Sequence, residues 1–384
     1  MATKKRSIFE EVSAEAPDRS APLQTGVIDK AARRGARGAI RVWLMMLFAL
    51  VVVMIAVGGL TRLTDSGLSI TEWAPLSGAI PPLTAEAWQQ EFDAYKQIPE
   101  YQLQNRGMTM AEFQVIYWWE WGHRQLGRVI GLVWAIGFAG FLVFRQIPQG
   151  WTGRLLLLGV LGGVQGAIGW WMVSSGLEDG MLDVASYRLA IHLGLAFFIL
   201  GLLAWYAMLL GRTQTELLQA RRSKERALWG MSTGLLHLSF VQILLGALVA
   251  GIDAGRSYTD WPLMAGGLLP PELFYIEPLW RNFFENEGLV QFMHRVTGYL
   301  LFLFAIGVWF AGRRSAHSAT RRAFGLVMVL MVAQIVLGVF TVLNAAPWHL
   351  AILHQFTAVV LWVAILRARL LAGYPRVDSI RGHA

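Results

Sequence analysis

Four histidines lie at similar positions near one end of four separate apolar stretches. They are His123 in WEWGHRQLGR, His192 in YRLAIHLGLAF, His294 in VQFMHRVTGYL and His354 in HLAILHQFTAVV. An ionisable side chain inside a membrane is costly, so each of these residues is a functional hypothesis. Imidazoles at matched depth on neighbouring helices can bind a haem iron from both faces. Two such pairs would hold two haems.

The composition indicates a membrane protein. Hydrophobic residues make up 55% of the 384 residues and charged residues 15%, and the mean hydropathy is +0.47. The chain has no cysteine, which excludes disulfides, thiolate zinc sites, iron–sulfur clusters and thiolate-bound haem. The net charge of +8 does not indicate nucleic-acid binding, because the basic residues cluster in short loops between apolar runs.

Eight apolar runs are long enough to cross a bilayer, which predicts an all-α membrane protein with eight transmembrane helices. They begin near residues 42, 117, 155, 188, 229, 289, 323 and 349. The arginine-rich segments are the even-numbered loops and both ends, so the positive-inside rule places both termini in the cytoplasm. Residues 1–41 are predicted to be a disordered tail and 371–384 a second tail; the first contains acids and no apolar run, so it is neither a signal nor a transit peptide.

The chain repeats itself. HRQLG at 123–127 matches HRVTG at 294–298, Gln165 with Gly169 matches Gln334 with Gly338, and His192 matches His354. The order of elements is the same in both parts, which predicts two duplicated four-helix bundles, an N-terminal half over 42–226 and a C-terminal half over 227–370.

Helix geometry puts the four histidines at one depth. At 1.5 Å per residue they lie roughly 6 to 9 Å below the outer interface, so His123 can face His192 and His294 can face His354. The alternative is that each histidine only hydrogen-bonds a neighbouring helix.

The other four histidines carry weaker hypotheses or none. His237 has no counterpart in the first half and is interpreted as structural. His349 is a weak candidate for proton transfer at the outer face, and His317 and His383 lie in cytoplasmic segments and carry no hypothesis.

Arginines accompany the histidines. Arg124 and Arg295 each follow a ligand candidate directly, and Arg128 adds a charge to the first half. A guanidinium binds a carboxylate bidentately, which favours haem propionates as their partners. The alternative is that these side chains extend to lipid headgroups.

One position breaks the repeat. Glu120 precedes His123 by three residues and shares its helix face, whereas the matching residue before His294 is Gln291. A carboxylate can exchange a proton and an amide cannot, so the two sites are predicted to do different jobs. The alternative is a structural ion pair of Glu120 with Arg124.

With these features the chain resembles the haem A synthase family, whose members oxidise haem O to haem A for cytochrome oxidase. The resemblance spans about residues 42 to 370. It rests on the segments GGLTRLTDSGLSITEWAPLSGAIPP, YKQIPEYQ, EFQVIYWWEWGHRQLGR, VQGAIGWWMVSSGL, RLAIHLGLA, DWPLMAGGLLPP, QFMHRVTGY and ILHQFTA. Some members carry cysteine pairs in the outer loops, and this chain resembles the cysteine-free branch of alphaproteobacteria and mitochondria.

The resemblance implies a role for each site. His294 and His354 would ligate a haem b cofactor, with Arg295 nearby. His123 and His192 would flank the substrate haem O, with Arg124 and Arg128 beside it, and Glu120 would be the catalytic carboxylate. The implied product is haem A, formed by oxidation of the ring D methyl through a hydroxymethyl group to a formyl group.

The resemblance also implies a setting for the protein. Haem O synthase, cytochrome oxidase assembly factors and a second copy of the chain are candidate partners, and a bacterial inner membrane is the expected location. Two other functions fit the four histidines, a two-haem electron-transfer cytochrome and a non-catalytic haem-delivery assembly factor.

Overall fold

The computed structural model describes residues 28–178 and 180–376, with side chains from residue 36 onward. It is helical. In chain order the helices are α1 (Ile28–Leu63), α2 (Ala85–Tyr95), α3 (Pro99–Leu103), α4 (Met110–Val143), α5 (Thr152–Gly176), α6 (Ser186–Leu210), α7 (Gln214–Arg222), α8 (Arg226–Gly251), α9 (Asn282–Glu285), α10 (Glu287–Arg313), α11 (Ser318–Leu343) and α12 (Trp348–Gly373). Three single 3₁₀ turns lie in the connections between them.

Eight of these helices are long and apolar enough to cross a membrane, as the sequence predicted: α1, α4, α5, α6, α8, α10, α11 and α12. The protein is therefore a multi-pass membrane protein. Two long segments, 64–109 and 252–286, lie on the side predicted to be outer and are called the outer segments here; the first contains α2 and α3, and the second contains α9. Helix α7 belongs to a loop on the opposite side.

Two helix starts differ from the sequence prediction. Helix α4 begins at Met110, several residues before 117, because Thr109 caps it and forms a reciprocal capping box with Glu112. Helix α1 begins at Ile28, so residues 28–41 of the predicted disordered tail are helical. The remainder of that tail, 1–27, and the last residues of the C-terminal tail, 377–384, lie outside the described residues.

Each half forms a closed ring of four helices. In the first half, α1 contacts α4 and α6, and α5 contacts the same two helices. In the second half, α8 contacts α10 and α12, and α11 contacts the same two. The two halves therefore have the same pattern of neighbours, and their duplication stays a prediction.

The halves meet along α6, α8, α12 and α1. The contact is largely apolar and includes Phe197, Leu200 and Trp362. Two side chains also hydrogen-bond across it: the Trp362 indole donates to the Phe197 carbonyl at 3.1 Å, and the Gln355 amide donates to the Ile55 carbonyl at 2.8 Å. Polar groups inside a membrane have no water to bond, so hydrogen bonds between helices stabilise their packing. These two bonds therefore stabilise the contact between the halves.

Candidate functional site

Each of the four predicted histidines packs its ring against a glycine of a neighbouring helix. His123 on α4 lies against Gly58 on α1, and His192 on α6 lies against Gly169 on α5. His294 on α10 lies against Gly246 on α8, and His354 on α12 lies against Gly338 on α11. A Cβ placed on these glycines would come within 2.9, 2.9, 3.1 and 3.0 Å of the imidazole Cε1, in that order. A methyl group does not fit there unless the ring moves, so the glycines set where the rings lie.

The pairing expected from the sequence, His123 with His192 and His294 with His354, stays a prediction. All four side chains are half-buried within the helix bundles. Among the residues that the structure describes, no group of three or more His, Asp or Glu side chains is arranged to hold a bare metal ion.

Three of the four histidines are each bonded to a glutamine of a neighbouring helix. The glutamine amide donates to the main-chain carbonyl of the histidine, from Gln165 to His192 at 3.0 Å, from Gln242 to His294 at 3.0 Å and from Gln334 to His354 at 3.1 Å. The same amide nitrogen lies 3.2, 3.1 and 3.3 Å from the Nδ1 of those imidazoles, in that order. Each glutamine precedes, by four residues, the glycine that packs against the same ring.

His123 differs from the other three. Its Nδ1 is buried and has no hydrogen-bond partner among the described residues. The residue four positions before its glycine, Gly58, is Met54. A thioether has no hydrogen to donate and is a weak acceptor, so it cannot replace the amide.

The glutamines are functional candidates that the sequence analysis missed. Gln165 and Gln334 served there only as markers of the repeat, and Gln242 went unnoticed. A signal was present: a four-residue spacing to glycine recurs in VQGAIG, VQILLG and AQIVLG, and VMIAVG keeps it with methionine in place of glutamine. Helical neighbours four residues apart share a face, so the pattern marks one side of a helix.

Glu120 is buried and lies in a dense set of hydrogen bonds. One carboxylate oxygen accepts from the Ser69 hydroxyl and the Ile70 amide, both at 2.8 Å. The other accepts from Arg124, at 3.0 Å from Nε and 2.6 Å from Nη2. The ion pair that the sequence analysis considered as an alternative is therefore present. These bonds also attach the segment after α1 to α4, one turn from His123.

The matching residue, Gln291, makes bonds of opposite polarity. Its amide donates to the Ala254 carbonyl at 2.7 Å and to the Tyr258 carbonyl at 3.2 Å. In the first half a carboxylate accepts from the outer segment, and in the second half an amide donates to it. The two sites therefore differ in their outer segments as well as in this side chain.

The three predicted propionate-binding arginines are bonded to outer-segment carbonyls. Arg124 donates to Glu72 and Ile70, Arg128 to Pro75 and Ala74, and Arg295 to Leu263 and Tyr258, all at 2.8 to 3.0 Å. A guanidinium has five N–H groups, so donors remain on each of them. These arginines anchor the outer segments, and propionate binding stays a prediction.

Arg62, in the last turn of α1, lies among three acidic side chains. It forms ion pairs with Asp65 at 2.9 Å, Asp183 at 3.4 Å and Asp253 at 2.9 Å, which join connections of both halves. Glu100 on α3 is buried nearby, and its Oε2 has no partner in the described part of the chain. Burial, and next the negative charges of Asp183 and Asp65, raise the pKa of Glu100 to about 8.

The remaining histidines are placed away from the paired sites. His237 is exposed on α8, and its Nδ1 lies 2.8 Å from the Thr233 carbonyl one turn earlier. His349 is exposed beside Trp348 at the start of α12, and His317 precedes α11 on the side predicted to be cytoplasmic. His383 lies outside the described residues.

Comparison with known proteins identifies close relatives. A family model described as cytochrome oxidase assembly protein, COX15-CtaA, matches residues 41–366. A haem A synthase of Dinoroseobacter shibae is 72% identical over 380 residues, which cover 99% of this chain and 99% of the relative. Haem A synthases of a Ruegeria species and of Roseobacter denitrificans are 67% and 66% identical, and each match covers 98% of this chain and 99% of the relative.

Proposed function

The chain belongs to the COX15-CtaA family of cytochrome oxidase assembly proteins, and we propose that it is a haem A synthase. The observation that carries the proposal is the full-length identity to proteins of that name, and the four paired histidines support it. The activity is that of an oxidoreductase whose substrate is haem O.

The reaction we propose converts the ring D methyl of haem O to a formyl group through a hydroxymethyl intermediate. Water supplies the oxygen. The balance is R–CH₃ + H₂O → R–CHO + 4 H⁺ + 4 e⁻, in two steps that each release two electrons and two protons, and the electrons pass to an external one-electron acceptor. The site must therefore hold the macrocycle, admit water and accept protons beside the reacting carbon.

The residues fit a haem at each pair of histidines. Imidazole nitrogen is an ordinary axial ligand of haem iron. The glycine against each ring leaves room for the imidazole, and the buried Nδ1 of His123 has no hydrogen-bond partner among the described residues. We propose haem b as the resident cofactor at His294 and His354, where it would supply a one-electron carrier.

In the first half we propose that His123 and His192 position haem O. Glu120, one turn before His123, would accept a proton from the reacting carbon or its attacking water. Its two oxygens accept four hydrogen bonds, two of them charge-assisted from Arg124 and two from the segment after α1. An ionised carboxylate is the form that can take up a proton.

Extraction of the haems tests this function. The full chain would be produced in cells that make haem O, purified, and its haems identified by mass. Haem A, or haem O with its hydroxymethyl derivative, should be found beside haem b. Haem b alone at both pairs would identify a two-haem cytochrome, and haem O that is carried unchanged would identify a delivery protein; either result contradicts the proposal.

We propose a bacterial inner membrane as the location, with both termini in the cytoplasm, haem O synthase as the supplier of substrate, and oxidase assembly factors or a second copy as partners. The arginine distribution supports the orientation. Reporter fusions after Arg222 and after Gly312 should report the cytoplasm, and fusions within 260–275 should report the outer side. A reversed pattern would overturn the orientation.

A further inference from the structure

The four histidines can be compared position by position, because each ring packs against a glycine of a neighbouring helix. The residue four positions before that glycine lies on the same face of that helix. That second residue is glutamine at His192, His294 and His354, and Met54 at His123.

Met54 occupies the place that a glutamine occupies in the second half. The Met54 Cε lies 3.3 Å from a Cβ position built on Gly127, four residues after His123. The Gln242 Nε2 lies 3.3 Å from the Cβ position of Gly298, four residues after His294. The two side chains therefore fill the same space beside matching histidine helices, and they differ in chemistry.

Each glutamine restrains its histidine in two ways. Its amide donates to the histidine main-chain carbonyl at 3.0 to 3.1 Å, which ties the histidine's helix to the neighbouring helix. The same amide nitrogen lies 3.1 to 3.3 Å from Nδ1 and 3.3 Å from Nε2, so it lies over the face of the ring and limits the ring's movement. A residue that fixes the orientation of a metal-binding imidazole strengthens that ligand.

We propose that Met54 makes His123 the most readily released ligand of the four, and that Gln165, Gln242 and Gln334 hold the other three histidines in place. This inference rests on the proposed function, in which the first half takes the substrate haem. It assigns Met54 and the three glutamines as positioning residues, since they act on haem through a histidine.

The distribution matches what the two halves must do. A resident haem has to stay bound, and both of its histidines have a glutamine. A substrate haem has to enter and leave in every catalytic cycle, and its site combines one supported ligand, His192, with one unsupported ligand, His123. The unsupported ligand is on α4, the helix that also carries Glu120, so release at His123 would free the macrocycle on the side of the proposed proton acceptor.

Haem loss measures this directly. The purified full chain, loaded with its haems, would be mixed with excess apomyoglobin as a haem acceptor, and transfer would be followed by absorbance. Wild type should lose haem in a fast phase from the first half and a slow phase from the second. Mass analysis of the haem left after the fast phase should identify haem b.

Reciprocal exchanges then test the assignment. Met54→Gln should slow the fast phase by about 10-fold or more, and Gln242→Met should accelerate the slow phase by about 10- to 100-fold, the usual effect of removing such a hydrogen-bond partner. Met54→Leu is the matched control and should leave both phases unchanged. Gln165→Met provides a second arm, and it should accelerate the fast phase further.

The inference is overturned if Met54→Gln retains its haem and loses it at the wild-type rate, or if Gln242→Met loses haem b no faster than wild type. If Met54→Gln does not assemble, the two glutamine variants decide the question alone. These rates do not depend on oxidation of the methyl group, so a protein that makes no haem A can still show the predicted phases. Failure of the proposed function and failure of this inference are therefore distinguishable.

Discussion

The two halves of this protein use the same four-helix ring for sites that differ at two positions. In the second half both histidines have a glutamine, and Gln291 donates to the outer segment through its amide. In the first half His123 has Met54 where a glutamine would stand, and Glu120 accepts from the outer segment. Both changes lie next to one histidine. The comparison teaches that two rings with the same pattern of helix contacts can differ through a few side chains around one histidine, with the helices left as they are.

The largest expected effect is the loss of the resident haem. Removing His294 or His354 with alanine takes away an axial ligand, so either variant should lose the haem b spectrum of the purified protein. His237→Ala is the control, since His237 is exposed and only approaches its own helix at the Thr233 carbonyl. A requirement for His237 equal to that for His294 would refute the ligand assignment.

The next largest effect is expected from the glycines that pack against the histidine rings, and it tests whether these contacts matter equally in both halves. Gly338→Ala places a Cβ 3.0 Å from the His354 ring and Gly169→Ala one 2.9 Å from the His192 ring. Each should weaken haem binding in its own half by about 1–3 kcal/mol through overpacking, as measured by haem content of the purified variants. Gly162→Ala is the matched control, because a Cβ there meets nothing within 4 Å in the described part of the chain. Equal haem loss in the control would remove the role assigned to the glycine contacts.

A smaller effect is expected from making the second half resemble the first at its outer segment. Gln291→Glu turns a donor into a carboxylate that faces the Ala254 and Tyr258 carbonyls. Because both carbonyls lose their buried donor, the free energy of unfolding should fall by about 1–3 kcal/mol. Chemical unfolding in detergent would measure it, with Gln291→Met as a control that separates lost bonds from added charge. Unchanged stability in Gln291→Glu would show that the polarity of this contact does not matter.

The last effect concerns pH and leaves haem content unchanged. The carboxyl of Glu100 has its pKa raised to about 8 by burial and by the charges of Asp183, Asp65 and Glu120, against the attraction of Arg62. Between about pH 4.5 and 8 the folded chain then holds a proton that the unfolded chain releases, so stability falls as pH rises through this window, by at most about 1.4 kcal/mol per pH unit. Glu100→Gln should flatten this slope, as followed by thermal unfolding between pH 5.5 and 8.5. An identical slope in the variant would mean that Glu100 ionises normally.

The membrane helices and the four histidines could be predicted from the sequence, because apolar length and a repeated depth leave strong patterns. The start of α4 could not be placed by hydropathy, because its first turns are fixed by the polar capping box of Thr109 and Glu112. The contacts of Arg124, Arg128 and Arg295 could not be predicted either. Their partners are main-chain carbonyls of irregular segments, and no residue type in the sequence reveals where those carbonyls point.

The glutamines show a different limit. Their spacing to glycine was visible, but Met54 and Gln242 lie on the first helix of each half, far in sequence from the histidine-bearing helices they pack against. Only the packing of α8 on α10 and of α1 on α4 brings them together. Glu120, in contrast, could be singled out because it shares a helix face with His123, three residues away.

The most direct test of the central claim, that the halves share a scaffold and differ in chemistry, is Glu120→Gln with all haems identified by mass. The change gives the first half the residue type that the second half has at Gln291, with little change in volume. We expect haem b to persist at His294 and His354 while haem A production falls by about 100-fold or more, the usual contribution of a proton acceptor, and haem O or its hydroxymethyl derivative accumulates. Full haem A output from the variant would contradict the account and leave Glu120 as the structural partner of Arg124.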